Sequence, residues 1–183
     1  MFARTKRLTL RPAWPEDARA LAAAIGHSSV ARMLARVPDT FTAADAETFV
    51  ARPRAADEPR FLILAHDAPA PTLVGGIAIQ AEEDGAHLAY WLAPHAWGRG
   101  YATEAARAVI DMARHALPLT CLKAWHFADN PASARVLAKP GFSPTGEIVV
   151  RSSRARDRDS ASIAYALDLG AHRAASAAVA IAA

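Results

Sequence analysis

The chain has 183 residues, enough for one domain with a sizeable core. Hydrophobic residues at 52% and charged residues at 21% are the proportions of a soluble globular protein, not of a disordered chain. The net charge of +3 is scattered rather than striped, which argues against a nucleic-acid partner, and no apolar run approaches the ~20 residues of a membrane span.

Cys121 is the single cysteine, so an internal disulfide is excluded and a reducing, cytoplasmic compartment fits. It sits in the apolar run 119–125 and reads as a core thiol. Without partner cysteines a zinc site is not expected. The first seven residues are basic but have no apolar region behind them, so no signal peptide is read.

In chain order, residues 6–11 alternate as a first strand. Pro15, Glu16 and Asp17 then favour a helix start, with Ala18, Leu21, Ala22 and Ile25 as its apolar face and Gly26 closing it. Residues 27–40 have no decisive pattern. Thr42 is an N-cap for a second helix over 43–52. Runs 61–65 and 73–79 read as a hairpin, with its turn at 67–71. Glu82 to Gly85 form the next turn, and a strand over 87–92 follows, ended by Pro94.

Beyond it, Ala102, Ala105, Ala106, Val109, Ile110, Ala113 and Leu117 recur at spacings of three and four, which marks an amphipathic helix stopped by Pro118. A strand over 120–127 makes this a β-α-β unit, hence a parallel pair with a crossover. Asn130 and Pro131 cap a short helix over 132–138. A strand from Phe142, the charged stretch 151–159, a last strand over 162–169 and an alanine-rich tail over 172–183 complete the chain. Pro140 is expected to drive Lys139 out of helical geometry.

The turn before the long helix carries the chemistry. Gly98 and Gly100 flank Arg99, where missing Cβ atoms let a ligand reach the backbone, and the first N–H groups of the helix point outward unpaired. That builds an anion site suited to a pyrophosphate. A dinucleotide fingerprint fails, because Thr103 stands where the third glycine belongs and residues 118–122 hold no acid. A P-loop fails for want of Gly-Lys-Ser/Thr.

What remains resembles the coenzyme A site of the GNAT superfamily of acyl-CoA N-acyltransferases, with its Gln/Arg-x-x-Gly-x-Gly/Ala signature at a strand-to-helix turn. Trp97-Gly98-Arg99-Gly100-Tyr101-Ala102 fits, with Trp97 in the Gln/Arg place. That departure, with Thr103-Glu104-Ala105 following, is similar to the RimJ/RimL branch. Leu8-Thr9-Leu10-Arg11-Pro12 with Glu16-Asp17-Ala18, and Asn130-Pro131-Ala132-Ser133 with Lys139-Pro140-Gly141-Phe142, match the same branch in order. The resemblance covers residues 6–169.

The resemblance implies an α/β fold (α+β in some schemes) with three αβα layers. Its sheet would be mixed, mostly antiparallel, with the parallel strands 87–92 and 120–127 splayed around pantetheine. Residues 1–170 would form the domain and 171–183 a tail, as a monomer or homodimer. Acetyl-CoA would be the co-substrate, without a metal. A backbone N–H near Leu92 or Ala93 would face the thioester carbonyl, and Gly98 to Thr103 the pyrophosphate, with Arg99, Arg135 and Lys139 as phosphate candidates.

Many relatives carry a tyrosine acid where Leu137 stands; the branch uses a serine instead, here Ser133, beside Asn130, which would cap its helix and touch pantetheine. His87 occupies a place where relatives often carry glutamate and is a candidate base, an imidazole titrating ordinarily near 6.5. Glu82 and Glu83 are rivals acting through water. His126 reads as structural, and Trp91 and Trp97 as core or pocket wall. The stretch 151–159 reads as a solvated, self-paired loop or as a clamp for an acceptor carboxylate. The expected activity is transfer of acetyl to an amine, a protein N-terminus or a small molecule; a non-catalytic acyl-CoA sensor is the alternative.

Overall fold

The computed structural model describes residues 1–55 and 58–170; the alanine-rich tail lies outside them. β1 (Ala3–Arg4) is too short to leave a pattern in the sequence and pairs with β2 (Leu8–Arg11). β2 buries Leu8 and Leu10 and leaves Thr9 and Arg11 partly exposed, the two-residue period of a strand. The remaining strands are β3 (Arg60–Ala65), β4 (Thr72–Glu82), β5 (Gly85–Leu92), β6 (Cys121–Phe127), β7 (Ser143–Arg151) and β8 (Ser160–Asp168). They form one sheet in the order β1-β2-β3-β4-β5-β6-β8-β7. Every neighbouring pair is antiparallel except β5–β6.

The helices are α1 (Ala18–Ile25), α2 (Ser28–Ala31), α3 (Ala43–Ala51), α4 (Tyr101–Ala116) and α5 (Pro131–Ala138). The apolar face of α4, Ala105, Ala106, Val109, Ile110 and Ala113, joins Leu8, Leu10, Ile63, Leu88, Leu122 and Leu137 of α5 in the main core. A smaller core joins Ala18 and Leu21 of α1 to Ala46 of α3, with Leu62 from the sheet and Trp91 packed against it. The sheet therefore lies between two helical layers, and β5 contributes to both: Leu88 to the first, Trp91 to the second.

Two glycines let β5 lie close against β4. A Cβ on Gly76 would stand 2.6 Å from Trp91 Nε1, and one on Gly75 2.2 Å from the Trp91 carbonyl oxygen. Thr42 caps α3 as expected, accepting from the Asp45 N–H, while the Asp45 carboxylate accepts from the Thr42 N–H in return.

Three expectations need correction. Cys121 is exposed at the start of β6 rather than in the core, because the strand begins before its buried stretch. Lys139 stays helical (φ −64, ψ −37) despite preceding Pro140. The turn is made instead by Gly141 at φ 105, with the Gly141 and Phe142 N–H groups donating to the Ala138 and Leu137 carbonyls. The stretch 151–159 is exposed at 152, 154 and 157–159, but among the described residues its charges do not pair with one another: Arg151 pairs with Glu82 and Arg156 with Asp129. Ser153 Oγ donates to the Leu34 carbonyl, the Arg154 N–H to Ala35, and Arg156 Nε to Arg32, pinning it onto the segment after α2.

Candidate active site

The parallel strands meet in register at one pair only, His87 and Lys123, near the start of β5, whereas β4 follows β5 in register from Gly85 to Leu92. Beyond that pair β5 and β6 diverge. Backbone groups on a strand point alternately to either side, and the Ala93 N–H donates to Val74 of β4 at 2.9 Å. The N–H of Leu92 consequently points toward β6, into the gap. This corrects half of the expectation: the Ala93 donor is taken, and the residue itself is buried outside the cavity lining. Leu92 lines the cavity, and its carbonyl accepts from Trp97 Nε1 at 2.9 Å, which holds Trp97 at the edge of the gap, half exposed.

From Trp97 the chain passes through Gly98 at φ +74 and Gly100 at φ +81, left-handed backbone that disfavours any side chain. Gly100 is the N-cap of α4 and supplies no side-chain acceptor. The N–H groups of Tyr101, Ala102 and Thr103 in the first helical turn are thus uncapped by any side chain, with the positive end of a 16-residue helix behind them.

Side chains around the turn fix its shape. The Tyr101 hydroxyl and Arg99 Nη2 both donate to the Asp67 carboxylate, the second at 2.8 Å. Arg7 donates to the Arg99 carbonyl at 3.0 Å and pairs with Glu104 at 2.7 Å. Arg99 is therefore aimed at Asp67, and Tyr101 is fully buried, so both act on the turn through their backbone. Thr103 Oγ1 is buried without a partner among the described residues.

Across the gap stands α5. The Asn130 side chain caps it, accepting from the Ser133 N–H at 3.2 Å. Tyr90, from β5, reaches over and places its phenol 2.6 Å from Ser133 Oγ and 3.2 Å from the Ser133 carbonyl oxygen. Burial pushes the Tyr90 phenol up to about 12, with the Ser133 hydrogen bond opposing in part. Leu137, which stands in place of a phenol, is fully buried in the core. Arg135 lines the same cavity and is exposed; Lys139 is exposed at the end of α5.

His87 lies on the opposite face of β5, with Ala89 and Trp91, toward α1 and α3. It is 4% exposed, and its Nε2 is 2.8 Å from the Asp84 carboxylate. A carboxylate only accepts, so Nε2 carries a proton, while Nδ1 is buried without a partner among the described residues. Asp84 also accepts from Lys123 at 2.9 Å. Those two hydrogen bonds, Lys123 first, hold its carboxyl down to about 2.

Glu82 lines the cavity beside His87, with Arg151 at 3.3 Å and Arg36 at 3.9 Å. Glu83 is exposed and does not line it. Glu82, Asp84 and His87 bring one ligand atom each within 4.8 Å of one another, but Lys123, Arg151 and Arg36 already match the two carboxylates. His126 has both nitrogens engaged, donating to the Phe127 carbonyl and accepting from the Tyr165 hydroxyl.

One cavity of about 800 Å³ connects these parts, running from Gly98 and Ala102 past Ser133 and Leu92 to His87 and Glu82. Of the residues singled out in the sequence, it brings together Glu82, His87, Trp91, Leu92, Trp97, Gly98, Ala102, His126, Asn130, Ser133 and Arg135, and leaves out Glu83, Ala93, Arg99, Gly100, Tyr101, Thr103 and Lys139. Tyr90, Asp84 and Lys123 are not among those residues. Tyr90 carried a readable signal, a polar tip on a strand whose neighbours are apolar; the Asp84–Lys123 pair depends on the parallel register and left none.

Residues 7–143 match the family described as Acetyltransferase (GNAT) domain. The uncharacterized N-acetyltransferase YoaA of Bacillus subtilis (strain 168) is 34% identical over 73 residues, which are 40% of this chain and 41% of that protein. The aligned segment thus spans less than half of that relative. The GNAT-family acetyltransferase of Bacillus anthracis superposes with a TM-score of 0.78 at 24% identity, covering 93% of this chain and 99% of its own. RimL, the ribosomal L7/L12 alpha-N-protein acetyltransferase solved with coenzyme A, superposes at 0.74 with 16% identity, covering 92% and 98%. Among the described residues no helix is long and apolar enough to cross a membrane. With three quarters of its length inside the family match and the fold of a solved GNAT-family acetyltransferase, the chain belongs to the GNAT acetyltransferase family.

Proposed function

We propose that this enzyme moves an acetyl group from acetyl-CoA to a primary amine by direct attack in a ternary complex, in the manner of the RimJ/RimL branch. The observation that carries the reading is the single cavity joining the uncapped first turn of α4 to the His87 face through the β5–β6 gap. Pyrophosphate lies on the Tyr101, Ala102 and Thr103 N–H groups, with Gly98 and Gly100 allowing the approach. The Leu92 N–H meets the thioester carbonyl and stabilises the oxyanion that develops on attack.

The amine nitrogen forms its bond to the carbonyl carbon as the C–S bond breaks. His87 Nδ1 takes the ammonium proton, with Asp84 holding the tautomer. Since Nδ1 is buried, a small ring or loop movement must accompany acceptor binding. Glu82, acting through water, is the rival base, supported by its place in the cavity wall. The Ser133 hydroxyl donates to the departing sulfur, and Tyr90 positions it through the 2.6 Å hydrogen bond between the phenol and Ser133 Oγ. The phenol keeps its own proton: at about 12 it is far weaker as an acid than an alkyl thiol, near 8.5.

Release of free thiol from acetyl-CoA across a panel of amines and N-terminal peptides tests this. Amine-dependent release with a mass shift of one acetyl on the amine is the expected result. Saturable acetyl-CoA binding without release for any amine would favour a sensor, the reading that the apolar Leu137 position supports.

A further inference from the structure

The acceptor half of the cavity has an unusual charge balance. Four guanidinium side chains line it, Arg36 after α2, Arg52 and Arg54 after α3, and Arg60 at the start of β3. Glu82 is the one carboxylate among the described residues lining that half, and Arg151 and Arg36 already stand 3.3 and 3.9 Å from it. The cavity's other carboxylate, Asp129, is held by both terminal nitrogens of Arg156, at 2.9 and 3.0 Å. Between the arginines the wall is apolar, from Met33, Leu34 and Val37 on one side to Phe41 and Phe49 on the other.

The four arginines are not equivalent. Arg60 is committed to structure: it donates to the Arg52 and Pro53 carbonyls and stacks over Phe49. By doing so it holds Arg52 and Arg54 at the mouth. The Arg36 side chain is 67% exposed and only loosely bound to Glu82, so it is free to swing onto an incoming anion. A guanidinium meets a carboxylate or phosphate through two parallel hydrogen bonds, and such planar recognition is what arginine supplies over lysine.

We infer that the acceptor is an amine carrying a carboxylate or phosphate close to its apolar body, held by Arg36 and Arg52 while the amine reaches toward the β5–β6 gap. The inference deepens the proposed transfer reaction and rests on it. A polyamine is disfavoured by the same balance, because its charges would enter a mouth that holds four cations and no unmatched carboxylate among the described residues. An N-terminal peptide with acidic second and third residues and a free aminoalkyl phosphonate share the required chemistry, and the experiment separates them.

The test compares kcat/KM for a Ser-Asp-Glu peptide, its Ser-Asn-Gln counterpart, 2-aminoethylphosphonate and spermidine. The expected result is a preference of about tenfold or more for an anionic acceptor over the Ser-Asn-Gln peptide, consistent with charge-assisted hydrogen bonds. That preference falls several-fold in R36Q and R52Q, and at high salt in the parent enzyme. Which anionic acceptor leads distinguishes a protein terminus from a small molecule.

Equal use of the two peptides, or spermidine as the best acceptor, would overturn the inference and leave acetyl transfer standing. Calorimetry of the N-acetylated Ser-Asp-Glu product with coenzyme A present reads anion recognition without chemistry. If no amine releases thiol, the transfer reading fails by itself, and binding of that product, lost in R36Q, still decides whether the mouth takes anions.

Discussion

Replacing Tyr90 by phenylalanine removes one oxygen and keeps the ring that β5 sends toward α5. The loss is a hydrogen bond of 2.6 Å to Ser133 Oγ and a longer one of 3.2 Å to the Ser133 carbonyl. Its cost in rate depends on the role of the phenol. A group that gave its own proton to the transition state would be worth about 10² to 10⁴ in rate. A neutral hydrogen bond that only orients another group is worth about 1 kcal/mol, or roughly fivefold. With the phenol pushed up to about 12 it keeps its proton, so the second figure applies. Tyr90→Phe should lower kcat about three- to tenfold with acetyl-CoA affinity unchanged, measured by thiol release and by calorimetry.

In a Ser133→Ala background the same change should do nothing to kcat, since there is no hydroxyl left to aim. Additive effects in the double variant would refute the coupling. An unchanged or faster Tyr90→Phe enzyme would mean that the serine had been donating to the phenol, with its proton tied up. Stability gives an independent check. The phenol is raised from 10 to about 12 in the folded state, so the folded protein holds the proton longer than the unfolded chain. The contribution is fully present below pH 10 and is lost as pH rises toward 12, about 3 kcal/mol at most for two units. Tyr90→Phe should flatten that alkaline slope in chemical unfolding.

Gly100→Val places a β-branched residue at φ +81, where the strain is about 1–2 kcal/mol although the nearest atom to a Cβ, Arg7 Nη2, is 3.5 Å away. Acetyl-CoA affinity should fall at least about tenfold while the folded state persists; unchanged affinity by calorimetry would remove the turn from the coenzyme site. His87→Gln should lower kcat and erase the acid limb of the pH–rate profile, and survival of that limb would move the base to Glu82 or to the acceptor's own amine. Asp84, held down to about 2, remains a carboxylate throughout that assay range; its stabilisation is present above its ordinary 3.8 and is lost progressively as pH falls from there through about 2. Gly76→Ala should cost about 1–3 kcal/mol, since its Cβ would stand 2.6 Å from Trp91 Nε1 and the indole must move; an unchanged melting temperature would show that it can do so freely.

The parts legible in the sequence are those built from local pattern. The period of α4, the glycines of its first turn and the Asn130 cap each follow from residues within a few positions of one another, and the fold places them as read. Thr42 announced α3 in the same way, and the structure adds Asp45 as the other half of the cap. The illegible parts join distant segments. Asp84 meets Lys123 because β5 and β6 run parallel with His87 opposite Lys123, and no spacing within either strand encodes that. The stretch 152–159 looked self-paired from its own charges. Its partners instead lie at 32–35 and at Asp129, so its role could be read only from the folded chain.

That docking also bears on where the molecule can move. Chemistry in this cavity needs the two faces of the sheet to communicate, and the β5–β6 gap is the passage. Its proposed coenzyme side is braced by Asp67, Arg7 and Glu104 on the turn, and by Tyr90 against Ser133. The proposed acceptor side is walled by the segment after α2, a short helix and coil. Ser153, Arg154 and Arg156 fasten that wall to the strands through the backbone carbonyls of Leu34, Ala35 and Arg32, with one side-chain contact from Arg156 to Met33 Sδ. The carbonyl contacts hold the wall's path while leaving side chains such as Leu34 and Arg36 free to vary without unfastening it. On the proposed assignment, acceptor choice can therefore change within this stretch while the turn before α4, whose geometry depends on positive φ at two glycines, stays fixed.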